Sequence, residues 1–155
     1  MIYGLDKLAG VHPRLWAAMG LLAVKSKYDW KIVSGKRDAA LQAKLYAQGR
    51  TEPGEIVTDV KDSAHLHGLA VDVQPTLDKG KSVVQDSAHP AYDEKDAIFR
   101  SNPLGVRTNI VISSGPDRPH IEIQNWQAHK DWLTTYSGIT VALVSLCLLF
   151  VSSSK

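Results

Sequence analysis

The sequence holds a single cysteine, Cys147, so no disulfide can form within the chain. That cysteine sits in an apolar run, whereas a reactive thiolate needs polar, electropositive surroundings, so no catalytic thiol is read there. Dense Lys/Arg blocks and aromatic–basic stripes are also missing, and the formal net charge is only +2. A nucleic-acid partner is therefore not expected, although a weakly basic surface tolerates an anionic polymer. No internal repeat and no low-complexity segment is visible. What remains is ordinary: 155 residues, 44% hydrophobic and 22% charged, which fits one globular domain with a real core.

Two apolar stretches raise the question of targeting. The first, 15–24, follows Lys7 and Arg14, but Asp6 lies in the would-be charged leader and Pro13 directly precedes the run. No small-x-small cleavage site follows before Lys25, so the stretch is read as a first helix and no cleavable signal peptide is expected. The second lies at the other end. Residues 132–154 carry no charge, and 138–151 is an apolar run of about 14 residues. A helix over 133–152 would span ~30 Å, the thickness of a bilayer core. Trp132 and Tyr136 stand where an interfacial aromatic belt would be. The expectation is a transmembrane tail, with a buried or docked helix as the alternative. This divides the chain into a domain at 1–130 and a membrane-anchoring tail at 131–155.

Hydrophobic spacing and punctuation predict a helix over 13–25, with Pro13 in its first turn and Leu15, Met19 and Leu22 on one face beside Trp16. Residues 30–34 alternate and read as a strand. Asp38 can cap a helix through 47 that Gly49 ends, with Leu41 and Leu45 as its buried stripe. The loop 51–63 has room for a short strand at 55–58. Residues 69–73 read as a buried strand, 76–90 as an excursion and 91–100 as helix. Strands at 109–113 and 119–123 flank a turn at Ser114-Gly115-Pro116. The pattern predicts an α+β domain, a small antiparallel sheet with packed helices.

Two segments carry the chemistry: Ser63-Ala64-His65-Leu66-His67-Gly68-Leu69-Ala70-Val71-Asp72 and Asp117-Arg118-Pro119-His120-Ile121-Glu122. Together they offer two or three histidines and several carboxylates, a donor set suited to zinc. On one flat strand His65 and Asp72 would face opposite ways and lie up to ~23 Å apart. They can share an ion only if the chain bends between them, and Gly68 permits the bend. In the second segment Pro119 keeps Arg118 extended, His120 and Glu122 share a strand face, and Asp117 precedes them in a turn. From that turn a carboxylate can take a proton from an attacking water. Glu122 is the rival base, with orientation of a neighbour or an arginine pair as its other reading. His67 reads as a surface or supporting group, Ser63 as a turn residue, and His12, His89 and His129 as structural.

These residues, in the pattern Ser-x-His-x-x-Gly-x-Ala-x-Asp followed by Asp-x-Pro-His-x-Glu, resemble the superfamily of D-alanyl-D-alanine carboxypeptidases and phage L-alanyl-D-glutamate endopeptidases. Val11-His12-Pro13, Ser34-Gly35-Lys36-Arg37, Gln42 and Leu45-Tyr46-Ala47-Gln48-Gly49 resemble the phage members as well. The resemblance implies zinc held by His65, Asp72 and His120, Asp117 as the catalytic acid–base, and Arg37 on substrate or oxyanion. Gln42 and Ser63 are carried along as substrate-side candidates. It implies hydrolysis of the peptidoglycan stem peptide, at the L-Ala–D-Glu bond first and at D-Ala–D-Ala as the alternative. An inactive zinc-containing wall-binding module is the other class. The setting implied is bacteriolysis by a phage or prophage enzyme, held in the host cytoplasm or at the inner membrane until a holin releases it to the periplasmic wall.

Overall fold

The computed structural model describes residues 1–101, 104–112 and 115–133. Its centre is a five-stranded sheet in the order β1-β2-β3-β5-β4, formed by β1 (Ile2–Tyr3), β2 (Asp29–Ser34), β3 (Ala70–Thr76), β4 (Val106–Ile112) and β5 (Gly115–Ile123). β1 runs parallel to β2, and the other neighbours are antiparallel. The sheet is therefore mixed, and the expectation of an antiparallel sheet is corrected by the edge strand β1. That strand is too short to show any alternation in the sequence. It is held by Ile2 opposite Trp30 and by the chain amino group 2.7 Å from Asp29.

Register sorts the side chains between the two faces. Trp30, Ile32, Val71, Val73, Ile121 and Ile123 share one face and are buried to 1% exposure or less. That face is covered by α1 (Pro13–Lys25) and α3 (Pro90–Phe99). Leu15, Ala18, Met19 and Leu22 supply the α1 stripe at helical spacing. Tyr92 of α3 meets Trp30 edge-on at 5.8 Å. Both helices begin His-Pro, and in each the histidine Nδ1 accepts a backbone N–H two residues on: Arg14 for His12 and Ala91 for His89. A capping histidine followed by proline satisfies one orphan donor and fixes the first turn.

α2 (Ala39–Ala47) departs from its expected packing. Asp38 caps it as anticipated, through the Leu41 N–H at 2.7 Å. Leu41, however, is exposed, and the buried residue is Gln42, 1% accessible. α2 lies outside the apolar helix layer, so its inward face is polar. No strand forms at 55–58, and β4 and β5 begin earlier than expected, at Val106 and Gly115.

The expected transmembrane helix is also corrected. Among the described residues no helix is long and apolar enough to cross a membrane, and 134–155, most of the expected span, lies outside them. The fold is α+β: a five-stranded mixed sheet with three α-helices among the described residues. Trp132, just past the expected end of the domain, is buried, with its ring 4.8 Å from that of His12 and its Nε1 donating to the His67 carbonyl at 2.6 Å.

Candidate metal centre and cleft

The sheet face opposite the helices carries the polar residues. Asp72 of β3 and His120 of β5 stand directly opposite each other, so the pairing alone places both side chains on that face. A bulge in β2, where Ile32 pairs with Val73 but Ser34 with Asp72, brings Ser34 to the same place. His65 arrives from a tight turn over 63–68. The Leu66, His67 and Gly68 N–H groups bond back three residues, and the Leu69 N–H closes onto the Ala64 carbonyl at 2.8 Å. The chain reverses at Gly68, φ +65, where a Cβ would lie 2.1 Å from the Gly10 carbonyl oxygen. This is the bend that the spacing of His65 and Asp72 required.

Three atoms converge. His65 Nε2 is 3.2 Å from Asp72 Oδ1 and 3.3 Å from His120 Nδ1, and His120 Nδ1 is 2.9 Å from Asp72 Oδ1. The far side of each ring is held. His65 Nδ1 donates to the Gly35 carbonyl at 2.7 Å, and His120 Nε2 donates to Glu122 at 3.1 Å. Those bonds fix the tautomers, so both inward nitrogens present lone pairs to a carboxylate oxygen. With neutral rings, three acceptors would face one another with no donor between them, so the centre calls for either a proton or a cation. Burial works against a charged His120 ring, yet Asp72 and Glu122 outweigh it and hold its pKa up to about 9. Burial also opposes ionisation of Asp72, and the two histidines overcome it, driving its pKa well down. The cluster favours a positive charge at its centre. Donors on a tetrahedral zinc, with bonds of about 2.0–2.1 Å, lie roughly 3.3 Å apart, and these three fit that spacing.

The surrounding groups form a second ring of contacts. Arg37 donates to Asp72 Oδ2 at 2.7 Å, to Ser34 Oγ at 3.1 Å and to Gln42 Oε1 at 3.4 Å. It thereby ties up one carboxylate oxygen of Asp72 and leaves the other for the cluster. Gln42 lies behind Arg37, with its amide nitrogen on the Val60 carbonyl at 2.9 Å, and so braces the guanidinium from within. Ser63 caps the turn that carries His65, its Oγ accepting from the His65 N–H at 3.3 Å. Asp117 stands at the edge of the centre, 3.9 Å from His120 Nδ1. Burial, then the charge of Asp72, raises its pKa above the ordinary carboxylate value. Behind it the wholly buried Lys95 of α3 donates to the Arg118 carbonyl at 2.6 Å, pinning β5 between Asp117 and His120.

All of this opens into a cleft of about 470 Å³ whose lining includes Arg37, His65, Asp72, Asp117, His120 and Arg107. Sequence reasoning missed the Gly35 carbonyl and Arg107. The first is a backbone group 30 residues from His65, and the second depends on the register of β4 against β5. His67 stays outside the cluster, bonded to Asp62 at 2.7 Å and stacked on Trp126 at 5.6 Å.

No family model matches the chain. Its fold is similar to the crystal structure of the L-Ala D-Glu endopeptidase ChiX of Serratia marcescens, with a TM-score of 0.64 over 84% of this chain and 94% of that one. Identity between the two is 22%, so the likeness is one of fold.

Proposed function

We propose that this protein is a zinc-dependent peptidase that hydrolyses the stem peptide of bacterial peptidoglycan, at the bond between L-Ala and D-Glu. The observation that carries the reading is the convergence of His65, Asp72 and His120 in an open cleft with the carboxyl of Asp117 beside them. The fold it shares with ChiX, an L-Ala D-Glu endopeptidase, supports the choice of substrate and bond. A zinc ion on the three donors would supply Lewis acidity toward a water and a scissile carbonyl.

The remaining steps belong to the side chains. Asp117, made more basic by burial and by Asp72, takes the proton of the attacking water and passes it to the leaving amine. Arg37 uses one N–H of Nε and one each of its two Nη groups on Ser34, Gln42 and Asp72, so each Nη keeps a hydrogen for the oxyanion. Gly35 and Glu122 keep the histidine rings turned with their lone pairs inward. Action on a host wall during phage or prophage lysis is the biological setting we attach to this chemistry.

The test is digestion of purified sacculi by the zinc-loaded full chain, with and without a chelator, the new termini being read by mass spectrometry. Chelator-sensitive appearance of N-terminal D-Glu is the expected result. Release of free D-Ala instead would make the protein a D,D-carboxypeptidase. No cleavage by folded protein carrying one zinc per chain would overturn the enzymatic reading in favour of a wall-binding module.

A further inference from the structure

Arg107 of β4 faces Glu122 of β5 across the ladder, and Glu122 shares the strand face of His120. The register therefore places this arginine on the cleft face, one contact beyond a proposed metal ligand. Arg107 Nε donates to Glu122 Oε1 at 2.6 Å, and Nη2 lies on the same oxygen. Glu122 is buried while the Arg107 side chain is 52% exposed and lines the cleft. The guanidinium is thus fastened through Nε and Nη2 to a buried carboxylate, while the side chain as a whole stays half exposed in the cleft wall. Among the described residues Glu122 is its one hydrogen-bond partner.

The second cleft arginine is placed differently. Arg37 is 16% exposed at its side chain and already spends donors on Ser34, Gln42 and Asp72. Its free hydrogens lie beside the three-donor centre, where charge develops during hydrolysis. Arg107 lies on the other side of His120, reached through Glu122 by contacts of 3.1 and 2.6 Å. A fixed, half-solvated guanidinium two contacts beyond His120 in the same cleft is suited to a carboxylate that flanks the scissile bond, because the planar fork matches two carboxylate oxygens.

We propose that Arg107 is a specificity-determining residue that binds a free carboxylate on the substrate residue adjoining the scissile bond. This rests on the peptidase reading above. In an L-Ala–D-Glu bond where the glutamate continues through its γ-carboxyl, the α-carboxylate stays free and is attached to the carbon next to the leaving nitrogen. Arg107 is matched to that group. Holding by Glu122 lowers the entropic cost of ordering the side chain on binding.

The experiment compares two synthetic stem peptides that differ only at that position, one with the free α-carboxylate and one with the α-carboxamide. The zinc-loaded full chain should favour the carboxylate by about 10- to 100-fold in kcat/KM, the worth of a charge-assisted hydrogen-bonded pair. In Arg107→Gln the loss on the carboxylate peptide should exceed the loss on the amide by at least tenfold, with one zinc per chain retained. Arg107→Lys, which keeps the charge without the fork, should restore part of the preference. Equal turnover of the two peptides by the unmodified protein would overturn the inference. So would an Arg107→Gln variant that loses both by the same factor, which would mean that Arg107 acts only by holding Glu122 and His120. Failure to cleave either peptide would instead remove the peptidase reading itself.

Discussion

His12 shows how one side chain can carry a stability signature of its own. It is 3% exposed, accepts the Arg14 N–H at the start of α1, and lies 4.8 Å from the Trp132 ring. Burial first, then the charges of Arg14 and His129, lower its pKa from 6.5 to about 4. The folded protein therefore keeps the ring neutral, while the unfolded chain takes up a proton below pH 6.5. The stability this ring lends is intact above pH 6.5 and is lost as the pH falls toward 4, at up to about 1.4 kcal/mol per unit. Protonation also removes the lone pair that caps the helix. Asparagine is a good cap that does not titrate in this range. His12→Asn should therefore lose less stability than the unmodified protein between pH 7 and pH 4.5 in urea melts. Parallel pH profiles for the two proteins would contradict this account.

Among the elements, the turn over 63–68 that carries His65 depends on a residue with no side chain. Gly68 combines φ +65 with a contact that puts an added Cβ 2.1 Å from the Gly10 carbonyl oxygen, while the Gly68 carbonyl takes the His12 N–H at 2.8 Å. Gly68→Ala should cost about 2 kcal/mol or more in denaturant unfolding. Because the same turn aims His65, zinc affinity measured by competition with a chromogenic chelator should fall as well. A variant of unchanged stability and affinity would show that the turn can be built another way. This bend was legible in the sequence because two candidate ligands of opposite parity forced it and a glycine lay between them. α1 was legible for a related reason, since Pro13 and the spacing of Leu15, Met19 and Leu22 name both its start and its buried face. Other features depend on partners distant in sequence. β1 exists through its pairing with β2, and the buried side of α2 is set by the Arg37 and Val60 groups that Gln42 meets. Arg107 becomes visible only once β4 is registered against Glu122.

In the whole molecule the sheet separates stability from chemistry. One face is sealed under α1 and α3, and the other exposes a cluster of buried or half-buried charges to the cleft. Neighbours on β5 therefore belong to different economies: Ile121 is wholly buried on the helix face, while His120 and Glu122 serve the centre. Shortening Ile121 to valine removes one methyl group from the core, which typically costs 0.5–1.5 kcal/mol, or about 2–4 °C in Tm per kcal/mol for a chain of this size. Turnover well below the melting transition should be unchanged in Ile121→Val, since the register of Asp72 against His120 is kept. Asp117→Asn should behave in the opposite way. It removes the proposed proton acceptor without changing shape, so kcat should drop by about 100- to 10,000-fold while zinc stays bound and Tm moves little. Thermal melts, zinc content and single-turnover rates on the two variants form one crossed comparison. If Asp117→Asn lost zinc together with activity, Asp117 would be a support for the centre rather than its base. If Ile121→Val lost turnover at temperatures where it is fully folded, the two faces of the sheet would be coupled through β5 and would not separate stability from chemistry.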